Sequence, residues 1–294
     1  DLETLAKRVN EKFGDSSQGI ATLVPQAIAS TIKSASGIHS FYYDIRTDDF
    51  LDKWLEQLFE EVKQVKKDNK YKDETILQCF KVPIIELNSA KFDISLVFKN
   101  LKSKDWTISK YLESNTFIKQ IIVKNYSSSI QLRFVDFKTY SVQNKFEDTV
   151  RDFAGNGGIH KKDRFLHEFI NTKNFMNELN KNELFSIDTS NNQLKNKKLN
   201  EFKYKEYLFE PAKYKKRQDY LKYFNILDSR ILIEPIDFMI NLMFKYEIDM
   251  LANQSVAQSS NAIKYSMAYI VFDTNGNYNS ECADKSIEIT QCYW

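Results

Sequence analysis

The stretch from Lys81 to Phe98 constrains the fold most, because two apolar patterns meet there around the polar break Asn88-Ser89-Ala90. The first half contains Val82-Pro83-Ile84-Ile85, an almost continuous apolar run of the kind found in buried strands. The second half has an apolar residue at every second position from Phe92 onwards, which is typical of a strand with one buried face. We therefore predict a hairpin in which Asp93 lies on the face opposite the apolar row of the second strand.

The composition is that of a globular chain. With 294 residues, of which 42% are hydrophobic, the chain is long enough for one large or two ordinary domains. The formal net charge of +2 is almost balanced, so nucleic acid would have to bind at a local basic patch. No apolar run approaches the length of a membrane span, and we expect no membrane partner. We expect an intracellular, cytoplasmic protein with reduced cysteines, although Cys282 and Cys292 could form a disulfide in a secreted one.

Apolar residues at helical spacing predict two helices in the first hundred residues. One is a short amphipathic helix over residues 2–13, and the other runs from Phe50 to about Lys67. Aromatic residues at positions 41–43 predict a strand between them.

The segment after the first helix is Phe13-Gly14-Asp15-Ser16-Ser17-Gln18-Gly19. Small residues bracketed by glycines allow backbone amides to approach a phosphate closely. Clusters of this composition are also common in ordinary turns. The candidate nucleotide-binding residues are Gly14, Asp15, Ser16, Ser17 and Gly19.

The order of these segments resembles the template-independent nucleotidyltransferases of the DNA polymerase β superfamily, in particular the poly(A) and poly(U) polymerase branch. That family has an aromatic residue followed by Gly-Ser-x-x-x-Gly, a short loop with proline, Asp-x-Asp, a helix, and Val-Pro-Ile-Ile leading to a third aspartate on a strand. Here Phe13–Gly19 is similar to the first motif, with Asp15 in place of the usual serine, and Val82–Ile85 with Asp93 is similar to the last. The resemblance covers roughly residues 13–98.

The departure from the family lies in Gln26-Ala27-Ile28-Ala29-Ser30, which occupies the place of Asp-x-Asp. The resemblance implies that Ala27 and Ala29 stand where two metal-ligating aspartates are usual, and that Asp93 is the surviving catalytic and metal-binding carboxylate. The cofactor implied is Mg²⁺ or Mn²⁺, which would promote phosphoryl transfer in a two-metal site. With one ligand of three, the protein would be a pseudoenzyme or an inactive mutant. The other interpretation is that Pro25–Lys33 begins a helix in which the alanines are helix formers.

A basic and aromatic segment spans residues 193–217. Positive charge interleaved with aromatic rings suits single-stranded RNA, because the cations contact phosphates and the rings stack on bases. A solvated helix face with its aromatic residues in the core is the alternative. The candidate RNA-binding residues are Lys203, Lys205, Lys213, Tyr214, Lys215, Lys216 and Arg217.

The remaining patterns predict helices over parts of Trp106–Val123, over Phe165–Leu184 and over Ile231–Leu251, and a strand over Ser129–Phe137. We therefore predict an α+β protein with a nucleotidyltransferase-like palm at residues 1–100 and a mostly helical accessory domain at residues 101–294.

The function that this reading implies is transfer of nucleotides from a nucleoside triphosphate such as ATP to an RNA 3′ end, in a catalytically dead form. One alternative is a transferase that acts on tRNA, a protein or a signalling nucleotide. The other is a non-catalytic module that binds RNA or a protein partner.

Overall fold

The computed structural model describes residues 1–13, 17–68, 81–87, 89, 92–114, 117–128, 130–141, 146–153, 165, 169–186 and 201–271. In these ranges the strands are β1 (Leu2–Phe13), β2 (Ser17–Ser34), β3 (Gly37–Asp44), β4 (Lys81–Glu86), β5 (Trp106–Ser114), β6 (Phe117–Asn125) and β7 (Gln131–Asp136). The helices are α1 (Phe50–Asp68), α2 (Asp93–Val97), α3 (Phe146–Phe153), α4 (Phe175–Asn180), α5 (Glu201–Phe209), α6 (Arg217–Ile231), α7 (Ile233–Phe244) and α8 (Val256–Val271). The protein is α+β, as the sequence predicts.

The chain divides into two compact units. The first contains the described residues of Asp1–Asp136 and Gly157–Ile233, and the second those of Phe137–Asn156 and Glu234–Trp294. The domain boundary predicted near residue 100 falls inside the first unit, shortly before β5.

Two sheets form the first unit. One is antiparallel with the strand order β1-β2-β3, and the other is mixed with the order β4-β7-β6-β5. In the mixed sheet β4 runs parallel to β7, while β6 is antiparallel to both of its neighbours.

The long strand β2 separates two hydrophobic cores. Ile28 belongs to the core that α1 covers, and Ala27 belongs to the core that α6 covers. This division follows from the period of two in a strand, because successive side chains point to opposite faces. Trp54 of α1 donates a hydrogen bond to Ser30 on one face (2.9 Å), and Ser229 of α6 lies 2.7 Å from the hydroxyl of Thr31 on the other.

The helix predicted from Phe50 to Lys67 is confirmed as α1. Its buried residues recur at intervals of three and four, so one stripe faces the core and the charged residues face water. The buried stripe is Phe50, Leu51, Trp54, Leu55, Leu58, Phe59 and Val62. The predicted strands at residues 41–43 and 129–137 are confirmed within β3 and β7.

Two predictions in the first unit are wrong. Residues 2–13 form β1 rather than a helix, because Leu2 packs into one core and Leu5 into the other, as alternate faces of a strand require. Pro25–Lys33 likewise lies within β2, so the interpretation of this segment as a helix start is also wrong.

The second half of the predicted hairpin is also wrong. Asp93 begins the helix α2, which is followed by a 3-10 helix at Phe98–Leu101. The buried residues are Ile94, Val97 and Leu101, whose spacing is helical, while Phe92 is 50% exposed. This short segment fits both the two-residue period of a strand and the 3.6-residue period of a helix, and packing against the core selects the helix.

The helix predicted in Trp106–Val123 is replaced by the antiparallel strands β5 and β6. Trp106 of β5 and the alternate residues Ile121 and Val123 of β6 pack into the core that α1 covers, and Ile122 is buried as well. The helix predicted over Phe165–Leu184 is confirmed only in part, as α4.

The second unit has a small core of its own. Tyr140 is buried and donates a hydrogen bond from its hydroxyl to the carbonyl of Asn253 (2.7 Å). The rings of Phe153 and Phe238 lie 5.8 Å apart. The single core helix predicted over Ile231–Leu251 is shorter than expected: α7 ends at Phe244, which is 71% exposed.

All three cysteines lie outside the described residues, and so do the predictions about reduced thiols and a disulfide. Among the described helices, none has both the length and the apolar character needed to cross a membrane.

Candidate functional site

The two alanines that replace the expected aspartates lie side by side in the middle of the β1-β2-β3 sheet. Both are fully buried, and Ala27 packs in the core beneath α6. Their neighbours across the sheet are Glu3 and Asp44 for Ala27, and Asp1 and Tyr42 for Ala29. The alanines are therefore flanked on both sides by polar residues, three of which carry carboxylates.

The helix α6 brings two further polar side chains to the same face. Asn225 donates from Nδ2 to the Oδ2 of Asp1 at 3.0 Å, and also to the carbonyl oxygen of Asp1 at 3.3 Å. Carboxylate oxygens of Asp228, Asp1 and Glu3 all lie within 4.8 Å of one another. Asn225 and Asp228 are three residues apart, so they lie on one side of the helix.

We call this surface the α6-facing patch. It consists of Asp1, Glu3, Tyr42, Asp44, Asn225 and Asp228 around Ala27 and Ala29. Asn225 and Asp228 are 0% and 1% exposed, respectively, so the patch is largely closed to solvent.

One carboxylate of the patch has a guanidinium partner. Arg46 donates from Nε to the Oδ1 of Asp44 at 2.9 Å and forms an ion pair with its other oxygen. Burial acts to raise the pKa of Asp44, but the hydrogen bonds and charge of Arg46 outweigh it and lower that pKa overall. Burial and the neighbouring Asp44 raise the pKa of Tyr42, which therefore remains a neutral phenol.

Asp93 lies at the margin of the patch, next to Glu86. Its carboxyl group is hydrogen-bonded to that of Glu86, and the charge of Glu3 also acts on it. Burial and then the charge of Glu86 raise the pKa of Asp93 far above its usual range. The nitrogen of Asp1 lies 3.7 Å from Oε1 of Glu86, so the pair adjoins the patch. The structure thus brings Ala27, Ala29 and Asp93 into one region, although Asp93 comes from a helix.

The described residues of the predicted phosphate loop do not join them. Gly14, Asp15 and Ser16 lie outside the described residues. Ser17 and Gly19 are the first turn-proximal residues of β2 and pair with Phe13 and Glu11 of β1. Gly19 and Ala27 are eight residues apart on one strand, which corresponds to about 25 Å.

The predicted RNA-binding residues lie in and after α5. Lys205, Lys213 and Lys215 are exposed, and Lys216 and Tyr214 are half-buried. The Nζ of Lys213 also pairs with Glu210 at 2.5 Å. The structure describes the backbone but not the side chain of Lys203.

Arg217 differs from the other predicted cations because it is buried. It forms an ion pair with Glu178 and donates from Nε to the carbonyl of Glu183 at 2.7 Å. Its guanidinium lies 3.9 Å from the centre of the Phe185 ring. These contacts join α6 to the segment after α4, so the described role of this side chain is structural.

The sequence analysis missed Asp1, Glu3, Asn225 and Asp228 as members of the site. Glu3 lies on β1, for which the sequence predicts a helix, and Asp1 directly precedes this strand. Asn225 and Asp228 come from a helix more than 200 residues away. A signal existed for α6, where two polar residues interrupt the apolar stripe of Leu221, Phe224 and Leu227.

The carboxylates and amide oxygen of the patch are ligands that hard cations such as Mg²⁺ and Ca²⁺ prefer. The set of three carboxylates that the family resemblance requires is incomplete, because alanine cannot ligate a metal and the raised pKa of Asp93 keeps that group protonated. Comparisons with protein-family models, curated proteins and solved structures found no match for the chain.

Proposed function

We propose that the protein has a nucleotidyltransferase-type scaffold that has lost catalytic capacity through Ala27 and Ala29. The observation that carries this proposal is the position of the two alanines, at the centre of a face whose margins are carboxylates. Carboxylates at these two positions would point to the same side of β2 as those of Asp1 and Glu3. They would complete the constellation of acidic groups that two-metal phosphoryl transfer uses.

The groups that Mg²⁺ or Mn²⁺ would need for this reaction are not all present in the chain as sequenced. Asp93 shares its proton with Glu86, and the alanines offer no oxygen atom. No catalytic step through the metal follows from these residues. Gly19 lies about 25 Å along β2 from Ala27, so a nucleotide at the patch would not be held by this residue.

The experiment is to restore the two carboxylates together, as Ala27→Asp with Ala29→Asp. The restored protein is incubated with labelled nucleoside triphosphates, Mg²⁺ or Mn²⁺, and a mixture of RNA, tRNA and protein acceptors. We expect incorporation of label by the restored protein and none by the present chain. Adding Asp93→Ala to the restored protein should remove the activity.

The matched control is the pair Ala27→Asn with Ala29→Asn, which introduces side chains of the same size without charge. This variant should unfold as cooperatively as the restored protein and label nothing. A restored protein that unfolds cooperatively but labels no acceptor contradicts the proposal.

A second function is favoured by a separate observation, the exposed aromatic rings of α5. Phe202 and Phe209 are 77% and 74% exposed, and the Nζ of Lys213 lies 4.9 Å from the centre of the Phe209 ring. We propose that this surface, together with Lys205 and Lys215, binds single-stranded RNA through stacking and phosphate contacts.

This function is tested by fluorescence anisotropy with a single-stranded RNA oligonucleotide. The double variant Phe202→Ala with Phe209→Ala should weaken binding at least about tenfold, because stacking on one base contributes about 1–3 kcal/mol. The control is Phe244→Ala, another exposed phenylalanine, on α7. Binding that is equal in both variants contradicts an RNA site on α5, and binding that is independent of nucleotide and metal would separate this function from the first.

A further inference from the structure

We propose that the chain, as sequenced, binds one hard divalent cation at Asp1, Glu3 and Asp228, with the side-chain oxygen of Asn225 as a fourth ligand. None of these residues is among the positions that the family resemblance assigns to metal binding. The proposal therefore does not depend on nucleotidyl transfer, and either can fail alone.

The first support is the geometry of the carboxylates. One oxygen from each of Asp1, Glu3 and Asp228 lies within 4.8 Å of the other two. Two ligands on opposite sides of Ca²⁺ are separated by about 4.6–5.2 Å, and around Mg²⁺ by about 4.0–4.2 Å, from the usual metal–oxygen distances. Three oxygens within 4.8 Å of one another are therefore close enough to ligate one hard cation together.

The second support is independent of the carboxylates. Asn225 is 0% exposed, and within the described part of the chain its Oδ1 accepts no hydrogen bond. A buried carbonyl oxygen without a donor is unfavourable and rare in folded proteins. The amide group to which this oxygen belongs lies against the carboxylate of Asp1, with 3.0 Å between Nδ2 and Oδ2. The proposal assigns this oxygen to the cation, because a neutral amide oxygen is a usual ligand of hard cations.

The experiment measures cation binding to the unaltered chain, without nucleotide or RNA. Metal-free protein is titrated with Ca²⁺, Mg²⁺ or Mn²⁺ up to about 10 mM, a range that covers weak oxygen-ligand sites. Equilibrium dialysis should give one cation per chain. The Tm should rise by about 5–10 °C at about 100 times the Kd, since the ligand binds the folded state alone.

Three variants and two controls locate the site. Asp228→Asn and Glu3→Gln should each abolish the rise in Tm, and Asn225→Ala should weaken binding about tenfold. The control Glu60→Gln changes a carboxylate that is 63% exposed and should leave the rise intact. Asp93→Asn should leave it intact as well, which separates this site from the metal position of the family resemblance.

Because Asp228 is buried, its variant could fail to fold, and Glu3→Gln then provides the test at a half-buried position. Absence of a bound cation in the dialysis of the unaltered chain overturns the proposal. A rise in Tm that is unchanged by Glu3→Gln also overturns it.

Discussion

Asp93 illustrates how a single carboxyl group can make folding depend on pH. In the unfolded chain it titrates near its ordinary pKa of 3.8, whereas burial and the charge of Glu86 raise its pKa in the folded protein. Between these two pKa values the folded state holds a proton that the unfolded state has released. The contribution of this group is therefore fully favourable below about pH 3.8 and is lost as the pH rises towards the folded pKa.

The corresponding prediction concerns Asp93→Asn. Asparagine can keep a hydrogen bond to Glu86 but cannot titrate, so the variant should be more stable than the original chain at neutral pH. The difference should shrink towards about pH 4, by at most about 1.4 kcal/mol for each pH unit. Urea unfolding at about pH 4, 6 and 8 measures it.

The control for this prediction is Asp105→Asn, which changes an exposed aspartate. It should leave the pH dependence of the unfolding free energy unchanged. Parallel pH profiles for Asp93→Asn and the original chain would show that the folded protein does not hold the extra proton.

At the scale of single elements, the contact between α6 and β2 depends on small side chains. Ala27 and Ala29 are fully buried, and the residues of α6 that approach β2 include Asn225 and Ser229. A large apolar side chain on this face would meet the polar side chains of α6, and it would have to displace the helix or adopt a strained rotamer.

We therefore expect Ala29→Leu to destabilise the protein by about 1–3 kcal/mol. Thr22→Leu, at an exposed position of the same strand, should change the stability by no more than about 0.5 kcal/mol. Chemical denaturation of the three proteins gives the comparison. Equal effects of the two substitutions would mean that α6 does not pack on Ala29.

The sequence was sufficient to predict those elements whose apolar pattern fits only the helical period or only the strand period. In α1 the buried stripe recurs every three or four residues from Phe50 to Val62, and no strand can use that spacing. The pattern in Phe92–Phe98 is short and fits both periods, so only contact with the core decides between them. The spacing of Leu2 and Leu5 led to a wrong helix prediction for another reason. Both faces of β1 contact a core, so its apolar residues do not alternate with polar ones as they do in a strand with one buried face.

The site was predictable only in part, because its residues are distant in the sequence. The motif resemblance drew attention to Ala27, Ala29 and Asp93, which the fold brings into one region. Asn225 reaches Asp1 across 224 positions, and nothing local in either segment indicates that contact. Long-range pairing of this kind follows from the topology of the sheet and the packing of α6.

At the scale of the whole molecule, the first unit is assembled from the two ends of a long stretch of chain. The core beneath α6 combines Leu5 of β1 with Tyr220, Leu221 and Phe224 of α6. Neither end can bury its apolar surface without the other. Closing such a large loop costs conformational entropy before the contacts form.

A chain that ends at residue 216 should therefore lose cooperative unfolding, because β1 and β2 would expose the face that α6 covers. Near-ultraviolet circular dichroism and urea unfolding of the truncated and full chains measure this. We expect loss of the near-ultraviolet signal and of the sigmoidal transition. A truncated chain with the transition of the full chain would show that α6 is dispensable to the first unit.

The position of β2 between two different cores also fixes its register. Ile28 fits the side of α1 and the two alanines fit the side of α6, and the three residues are consecutive. Insertion or deletion of one residue in this segment would exchange the two sets, so that a large side chain met the helix and small ones left a void beneath α1. We therefore expect this segment of β2 to tolerate a one-residue change of length less well than a substitution that keeps the size of the side chain.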